Sequence, residues 1–263
     1  MSESTVLLEA VSDVAQLAGE AALAHFQKAP AVELKRDGTP VTMADREAEK
    51  RARSWIEERF PDDGILGEEF GLARPEAPRR WLIDPIDGTK SFVRGVPLWG
   101  SLIAVVEGAE VLAGAACFPA LNETVAAALG KGCWRNGGRC AVSVESEISR
   151  ATVLNTDWLA GQAEQREAWT KLAARSGLAR TWGDCYGYLL VATGIAEAMI
   201  DPIASPWDLA AVMVIVEEAG GRFTDWRGAR TFSGESAIAT NANLADVIRD
   251  ALSEASRETP FRG

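Results

Sequence analysis

The segment Asp84-Pro85-Ile86-Asp87-Gly88-Thr89 follows the strand-like Trp81-Leu82-Ile83 directly, and Gly67-Glu68-Glu69 lies sixteen residues before Asp84. No other stretch constrains the fold as much. It calls for a buried strand that stops at two carboxylates, a proline-stiffened turn, and a glycine that frees the backbone at the start of the next helix. Asp84 and Asp87 can place two carboxylates around one hard cation, and Gly88-Thr89 can present backbone N–H groups to a phosphate. The plain alternative is a Pro/Gly turn carrying two solvated aspartates, and the hexapeptide alone does not separate the two readings.

Composition narrows the chemistry. A chain of 263 residues, 47% of them hydrophobic, can bury a large core as one large domain or two small ones. A net charge of −11 argues against binding a nucleic-acid backbone. No run of about 18 apolar residues predicts a membrane span, and the acidic N-terminal stretch lacks the basic-then-apolar order of a signal peptide. The four cysteines, Cys117, Cys133, Cys140 and Cys185, form no C-x-x-C pair, which predicts reduced structural thiols in a cytoplasmic protein. The single histidine, His25, sits in a predicted helix and reads as a partly buried structural residue. Ser-His-Asp triads and His-rich zinc sites are therefore excluded, and catalysis has to run on carboxylates, hydroxyls and metal.

Hydrophobic spacing predicts an amphipathic helix over 5–27, a loop at Lys35-Arg36-Asp37-Gly38-Thr39-Pro40, and a second helix from about Thr42. Thr42 and Asp45 form a T-x-x-D capping pattern there, and Glu47/Arg51 and Glu49/Arg53 are i,i+4 pairs. Strands are expected at Ile65–Gly67 and Trp81–Asp84, with a hairpin of Leu98–Val106 and Val111–Phe118. Two further strands, Thr124–Leu129 and Gly132–Arg135, close at the turn Asn136-Gly137-Gly138. The second half alternates: strand Thr152–Asn155, helix 161–175, strand Ala179–Trp182, helix 186–193, strand Glu197–Ile200, helix 207–219, then strands Arg222–Asp225 and Ala237–Thr240. That alternation predicts a layered α/β unit. The change of character near residue 145 divides the chain into an N-terminal α+β half, 1–145, and a C-terminal α/β half, 146–263. The first carries the metal and phosphate motifs, and the second completes the site within one compact unit.

Oxygen ligands for Mg²⁺ have to converge from distant segments. The candidates are Glu68, Glu69, Asp84, Asp87 and Asp208. Each has a plainer reading. Glu68-Glu69 can be a solvated strand end, Asp208 can cap a helix through S-x-x-D, and Asp45 can be an N3 capping carboxylate. All five candidates nevertheless fall at strand ends or helix starts.

Taken together, Lys35…Thr39-Pro40-Val41-Thr42-x-x-Asp45, Gly67-Glu68-Glu69, Asp84-Pro85-Ile86-Asp87-Gly88-Thr89 and Trp207-Asp208 resemble the inositol-monophosphatase-like family of Mg²⁺-dependent phosphatases. Phe118-Pro119, Gly130-x-Gly132 and Glu217-Glu218-Ala219-Gly220-Gly221 extend the resemblance over nearly the whole chain. It implies the layered αβαβα sandwich of the inositol-monophosphatase/fructose-bisphosphatase type, usually dimeric. It also implies about two to three Mg²⁺ ions per site. By resemblance, Glu68, Asp84 and the Ile86 carbonyl hold the first metal, Asp84, Asp87 and Asp208 the second, and a weaker third ion leans on Glu68. The Gly88 and Thr89 amides hold the phosphate. Thr89 and Asp45 orient and deprotonate the attacking water.

Lys90-Ser91-Phe92, Gly95-Val96-Pro97-Leu98-Trp99-Gly100 and Trp182-Gly183-Asp184-Cys185-Tyr186-Gly187-Tyr188 look like the histidinol-phosphate phosphatase branch of that family. In its inositol-specific members the position of Asp184 is generally small and uncharged, and Lys90-Ser91 is more often Thr-Asn. Histidinol phosphate carries an ammonium and a partly cationic imidazole, which Asp184 and Asp201 suit as substrate-binding carboxylates. Alternatively, Asp184 caps the helix near Tyr186 and Asp201 opens a proline turn. Trp99 and Tyr186 are either an aromatic wall or core. A broader inositol or sugar phosphatase, and a non-enzymatic relative that partners RNA polymerase, are the other functional readings.

Overall fold

The computed structural model describes residues 2–28, 32–34 and 40–254. Of the predicted loop at 35–40, residues 35–39, with the first residues of the family motif, lie outside them, and Pro40 opens a strand. Helix α1 (Glu3–Leu23) is followed by a ribbon of two antiparallel strands, β1 (Val32–Leu34) and β2 (Pro40–Thr42), and by helix α2 (Met43–Arg59). The start of α2 is the one the sequence predicts. Thr42 is the N-cap, its hydroxyl accepts from the Ala44 N–H at 3.1 Å, and the Asp45 carboxylate returns to the Thr42 amide at 2.8 Å. Helix α1 stops short of the expected residue 27. The chain turns after Leu23, and Gln27 adopts a left-handed backbone with φ 59°.

Eight strands form the first sheet: β3 (Gly64–Gly67), β4 (Gly71–Ala73), β5 (Arg79–Asp87), β6 (Gly100–Glu107), β7 (Glu110–Phe118), β8 (Glu123–Ala128), β9 (Gly132–Arg135) and β10 (Gly138–Cys140). Their order is β10-β9-β8-β7-β6-β5-β3-β4, antiparallel throughout except for β3 beside β5. Both faces are covered, which is why the strands read as nearly continuous apolar runs. Trp81, Ile83, Ile103, Val105, Ala113 and Ala115 turn toward α1 and α2. Their alternates Leu82, Leu102, Ala104, Ala116 and Phe118 turn the other way. Each large apolar side chain buried in this manner contributes about 1.5–3 kcal/mol.

The short helix α3 (Thr89–Val93) follows β5. The second sheet has five strands: β11 (Thr152–Asn155), β12 (Leu178–Arg180), β13 (Ala198–Asp201), β14 (Arg222–Thr224) and β15 (Ala237–Thr240), ordered β12-β11-β13-β15-β14. Helices α5 (Asp184–Ala192) and α6 (Pro206–Glu218) fill the space between the sheets, while α4 (Ala163–Arg175) and α7 (Ala245–Glu254) cover the far face. The result is a five-layer αβαβα sandwich. Helix α6 is apolar all round, every residue from Leu209 to Val216 being buried, because it has a sheet on each side. The change of sheet falls between Cys140 and Thr152. Strand β12 ends two residues before the expected Trp182, since Trp182 and Gly183 leave the sheet to enter α5.

Candidate active site

The carboxyl end of β5 forms the floor of the site. Strand pairing with β6 shifts register between Asp84 and Asp87, and this bulge points both aspartates the same way. The Ile86 N–H donates to Asp84 Oδ1 at 3.0 Å, and the Thr89 hydroxyl donates to the Ile86 carbonyl at 2.9 Å, so the turn ties itself together. Gly88 has φ 84°, and a Cβ there would lie 3.0 Å from the Leu98 carbonyl oxygen and 3.3 Å from Asp184 Oδ2. Only glycine fits this position.

Glu68 is set by the turn after β3. Its amide donates to the Ile83 carbonyl at 3.1 Å. Below it, the fully buried Glu49 accepts from the amides of Glu69 at 2.7 Å and Phe70 at 3.2 Å, and pairs with Arg53 at 2.7 Å. A Cβ on Gly67 would sit 1.9 Å from Glu49 Oε1, so this glycine makes room for the carboxylate. The Glu49/Arg53 pair expected to support a helix surface instead braces the loop that carries Glu68.

Asp208 arrives on the first turn of α6. Its Oδ2 accepts from the Ser205 N–H at 2.8 Å, so the capping reading is correct. At the same time the carboxylates of Asp84, Asp87 and Asp208 offer oxygens within 4.8 Å of one another. One residue both caps the helix and joins the carboxylate cluster. Burial, then repulsion from Glu68, Asp87 and Asp208, raises Asp84 well above the ordinary carboxylate range. Burial and the neighbouring Asp184 and Asp208 do the same to Asp87, and burial lifts Asp208 to about 6. A buried all-oxygen cluster whose members disfavour each other's charge suits a hard divalent cation, which relieves that repulsion.

These groups line one cleft of about 680 Å³, whose walls also include Glu68, Gly88, Thr89, Lys90, Thr156 and Asp184. Asp184 has φ 50°, a left-handed backbone that aspartate tolerates but does not favour, and its N–H donates to the Thr156 hydroxyl at 2.8 Å. Its carboxyl faces Gly88, and burial pushes it up to about 6 against the downward pull of Lys90. Asp184 is therefore the first helical residue, with Gly183 as N-cap, and its side chain makes no capping bond. Asp201 is placed differently. It lies at the end of β13 on a smaller chamber of about 60 Å³ that it shares with Asp87, Asp184 and Tyr188. The Tyr188 hydroxyl donates to its Oδ2 at 2.8 Å, and burial raises it to about 7.

Asp45 is buried beside Glu68, whose charge helps to raise it after burial itself, but it does not line the cleft, and its Oδ2 takes both the amide and the hydroxyl of Thr42. Trp99 is fully buried, with its ring 4.8 Å from Phe92, and Tyr186 packs edge-on to Phe118 at 5.6 Å. Both are core, and neither walls the cleft. His25 Nε2 pairs with Glu47 at 2.9 Å, the structural role expected. Lys90 and Thr156 belong to the cleft and are absent from the sequence-derived site. Thr156 had a signal: it follows the carboxyl end of β11, which runs parallel to β13, and open α/β sheets bind ligands at such ends.

Comparison with known proteins shows the family. The family model described as "Inositol monophosphatase family" matches residues 3–257. A histidinol-phosphatase of Chlorobaculum parvum is 44% identical over 256 residues, 95% of this chain and 98% of that protein. One from Mycobacterium tuberculosis is 41% identical, covering 82% and 86% of the two chains. A solved inositol monophosphatase from Zymomonas mobilis superimposes with a TM-score of 0.87 at 29% identity, over 96% of this chain and all of that one. With the family model matched over nearly its whole length and relatives this similar over most of both chains, the chain belongs to the inositol monophosphatase family.

Proposed function

We propose that this protein hydrolyses L-histidinol phosphate to L-histidinol and phosphate, as a Mg²⁺-dependent phosphomonoesterase of histidine biosynthesis. The observation that carries the reading is an acidic cleft with one carboxylate more than the metals need. Asp84, Asp87 and Asp208 gather together, and Asp184, an acidic group unneeded for the metals, borders the same space beside Gly88. The histidinol-phosphatase relatives support it.

Glu68, Asp84 and the Ile86 carbonyl are assigned to one metal, Asp84, Asp87 and Asp208 to a second, and Glu68 to a weaker third. Bound there, the cations supply positive charge that neutralises a phosphate monoester dianion and make water more acidic. The protein's own groups do the rest. The Gly88 and Thr89 amides hold the phosphate at the turn into α3. Thr89, Asp45 and Glu68 are assigned to orienting the attacking water and taking its proton, with Asp45 acting from beneath Glu68. Asp184 takes the cationic end of the substrate, and Asp201 supports it from the adjoining chamber. Attack by water needs no covalent enzyme intermediate.

A neutral polyol phosphate would leave Asp184 without a partner, which ranks inositol 1-phosphate and sugar phosphates second. The protein is expected to act as a cytoplasmic homodimer with no nucleic-acid or membrane partner. The net charge of −11 supports the former absence, and among the described residues no helix is long and apolar enough to cross a membrane. Phosphate release from histidinol phosphate, inositol 1-phosphate and fructose 1,6-bisphosphate, each with Mg²⁺ and then with chelator, tests the proposal. Turnover of histidinol phosphate at least tenfold more efficient than the others, and abolished by chelation, is expected. Comparable efficiency on inositol 1-phosphate would replace it with the second reading.

A further inference from the structure

Far from the cleft, two cysteines meet. Cys133 on β9 and Cys140 on β10 are directly paired across an antiparallel hairpin, with their sulfurs 3.2 Å apart. Paired residues in such a ladder have Cα atoms about 4.5–5.5 Å apart, inside the range of about 4.4–6.8 Å that a disulfide spans. Closing the bridge therefore requires only small side-chain rotations. The sulfurs differ in access: Cys133 is buried against the core and Cys140 is half-buried on the edge strand. The Cys133 thiol and the nearby Arg135 both favour the thiolate of Cys140, which lowers its pKa. The other two cysteines have no thiol neighbour in this arrangement, Cys185 Sγ lying against the Asp87 carbonyl at 3.9 Å.

We propose that Cys133 and Cys140 are a reversible dithiol–disulfide pair, a modification site at the sheet edge whose oxidant is a low-molecular-weight disulfide. The Cys140 thiolate attacks one sulfur of that disulfide. Its S–S bond breaks, and one small thiolate leaves and takes a proton from solvent. Cys133 then gives up its proton and attacks the Cys140 sulfur, forming the protein disulfide and expelling the second small thiolate, which is protonated. Two protein thiols are oxidised, and one small disulfide is reduced to two thiols.

The hairpin is also where a staple would act on stability alone. The Glu218 carboxylate accepts from the Gly130 and Gly132 amides at 2.8 and 2.7 Å, and the Val142 N–H donates to the Ala219 carbonyl at 3.0 Å. These contacts lie at the C-terminal end of α6, about 15 Å along the helix axis from Asp208. The bridge should therefore raise Tm by about 3–8 °C and leave hydrolysis unchanged.

The test equilibrates the full-length protein with oxidised glutathione, blocks free thiols by alkylation, and maps the peptides. The expected result is a Cys133–Cys140 bridge without retained glutathione, full alkylation of Cys117 and Cys185 after unfolding, higher Tm, and reversal by dithiothreitol. Cys133→Ala should instead trap glutathione on Cys140, and Cys140→Ala should remain unmodified at Cys133. If both thiols stay fully alkylatable in the wild type, or if glutathione accumulates on Cys140 without bridging, the proposal is overturned.

Discussion

Two sets of residues meet in the cleft, a metal end of Asp84, Asp87, Asp208 and Glu68 and an adjoining specificity end around Asp184, and they are built in opposite ways. At the metal end, three of the assigned side chains come from two short segments, and the backbone there is held by regular pairing. Strand β5 carries Asp84 and Asp87, and the turn after β3 carries Glu68 under the brace of Glu49 and Arg53. At the other end nothing is local. Asp184 sits on a left-handed residue fixed by Thr156, 28 residues away in sequence, and Asp201, at the end of β13, borders a smaller chamber that it shares with Asp87 and Asp184. An end carried mostly by paired strands suits chemistry common to a whole family. An end assembled from separate loops can change one residue at a time and so is where substrate choice is set.

The largest effect should come from breaking the metal end. Asp87→Asn is expected to lower kcat by about 10²–10³ on every phosphomonoester tried, because an uncompensated charge remains where the phosphate binds. Steady-state phosphate release at saturating Mg²⁺ checks this. Near-normal rates would remove Asp87 from the ligand set.

Thr89→Ala and Asp45→Asn should each depress kcat more than they raise KM, by about ten- to a hundredfold. The Asp45 result sharpens the comparison, because Asp45 is also a capping residue. If the two act on one water, the double variant is little worse than either single one. If the losses multiply, Asp45 serves α2 alone.

The metal end should also be visible in stability. Asp208 is lifted to about 6, and Asp84 and Asp87 are raised further, against an unfolded value of about 3.9. The fold thus favours their protonated forms. That contribution is complete below about pH 4 and is lost as pH rises through 6 and beyond. In chelator, Tm should therefore fall between about pH 5 and about pH 8, by the equivalent of a few kcal/mol, and Mg²⁺ should restore it. A chelator melt that is flat over this range would mean that burial and mutual repulsion do not favour the protonated carboxyls.

Thr156→Val probes the specificity end most gently. Valine keeps the shape but leaves the Asp184 amide without its acceptor, a loss of about 1–3 kcal/mol in stability. KM for histidinol phosphate should rise severalfold, with kcat on a small uncharged phosphate almost unchanged. An equal change on both substrates would mean that Thr156 supports the metal end as well.

This asymmetry also explains what could be read in advance. Asp84–Thr89 announces itself because strand, turn and glycine are adjacent, and the alternating second half gives its layers away through periodicity. The capping patterns at Thr42 and Ser205 are correct, yet no local rule says that Asp208 is also shared with Asp84 and Asp87. Thr156 carries no motif and Lys90 belongs only to a family one, and their place in the site exists only once the segments that carry them line one cleft. Helix α7 is unforeseen, although Leu244, Ile248, Ala251 and Leu252 repeat at helical spacing and pack on the second sheet. The strained backbone at Asp184 cannot be inferred from sequence, since aspartate is equally at home in many turns.

The central claim is that Asp184 reads the cationic end of a histidinol phosphate whose phosphate is held by the metals and the Gly88 and Thr89 amides. The most direct measurement is the ratio of kcat/KM for histidinol phosphate to that for glycerol 2-phosphate, in the wild type and in Asp184→Asn, a variant that keeps the side chain's shape and its tolerance of the left-handed backbone. Removing one partner of a shielded charge pair commonly costs about 2–5 kcal/mol. The ratio should fall by about one to three decades, with glycerol 2-phosphate hydrolysis nearly untouched. A ratio that stays constant, whether both efficiencies fall together or neither moves, would contradict the account.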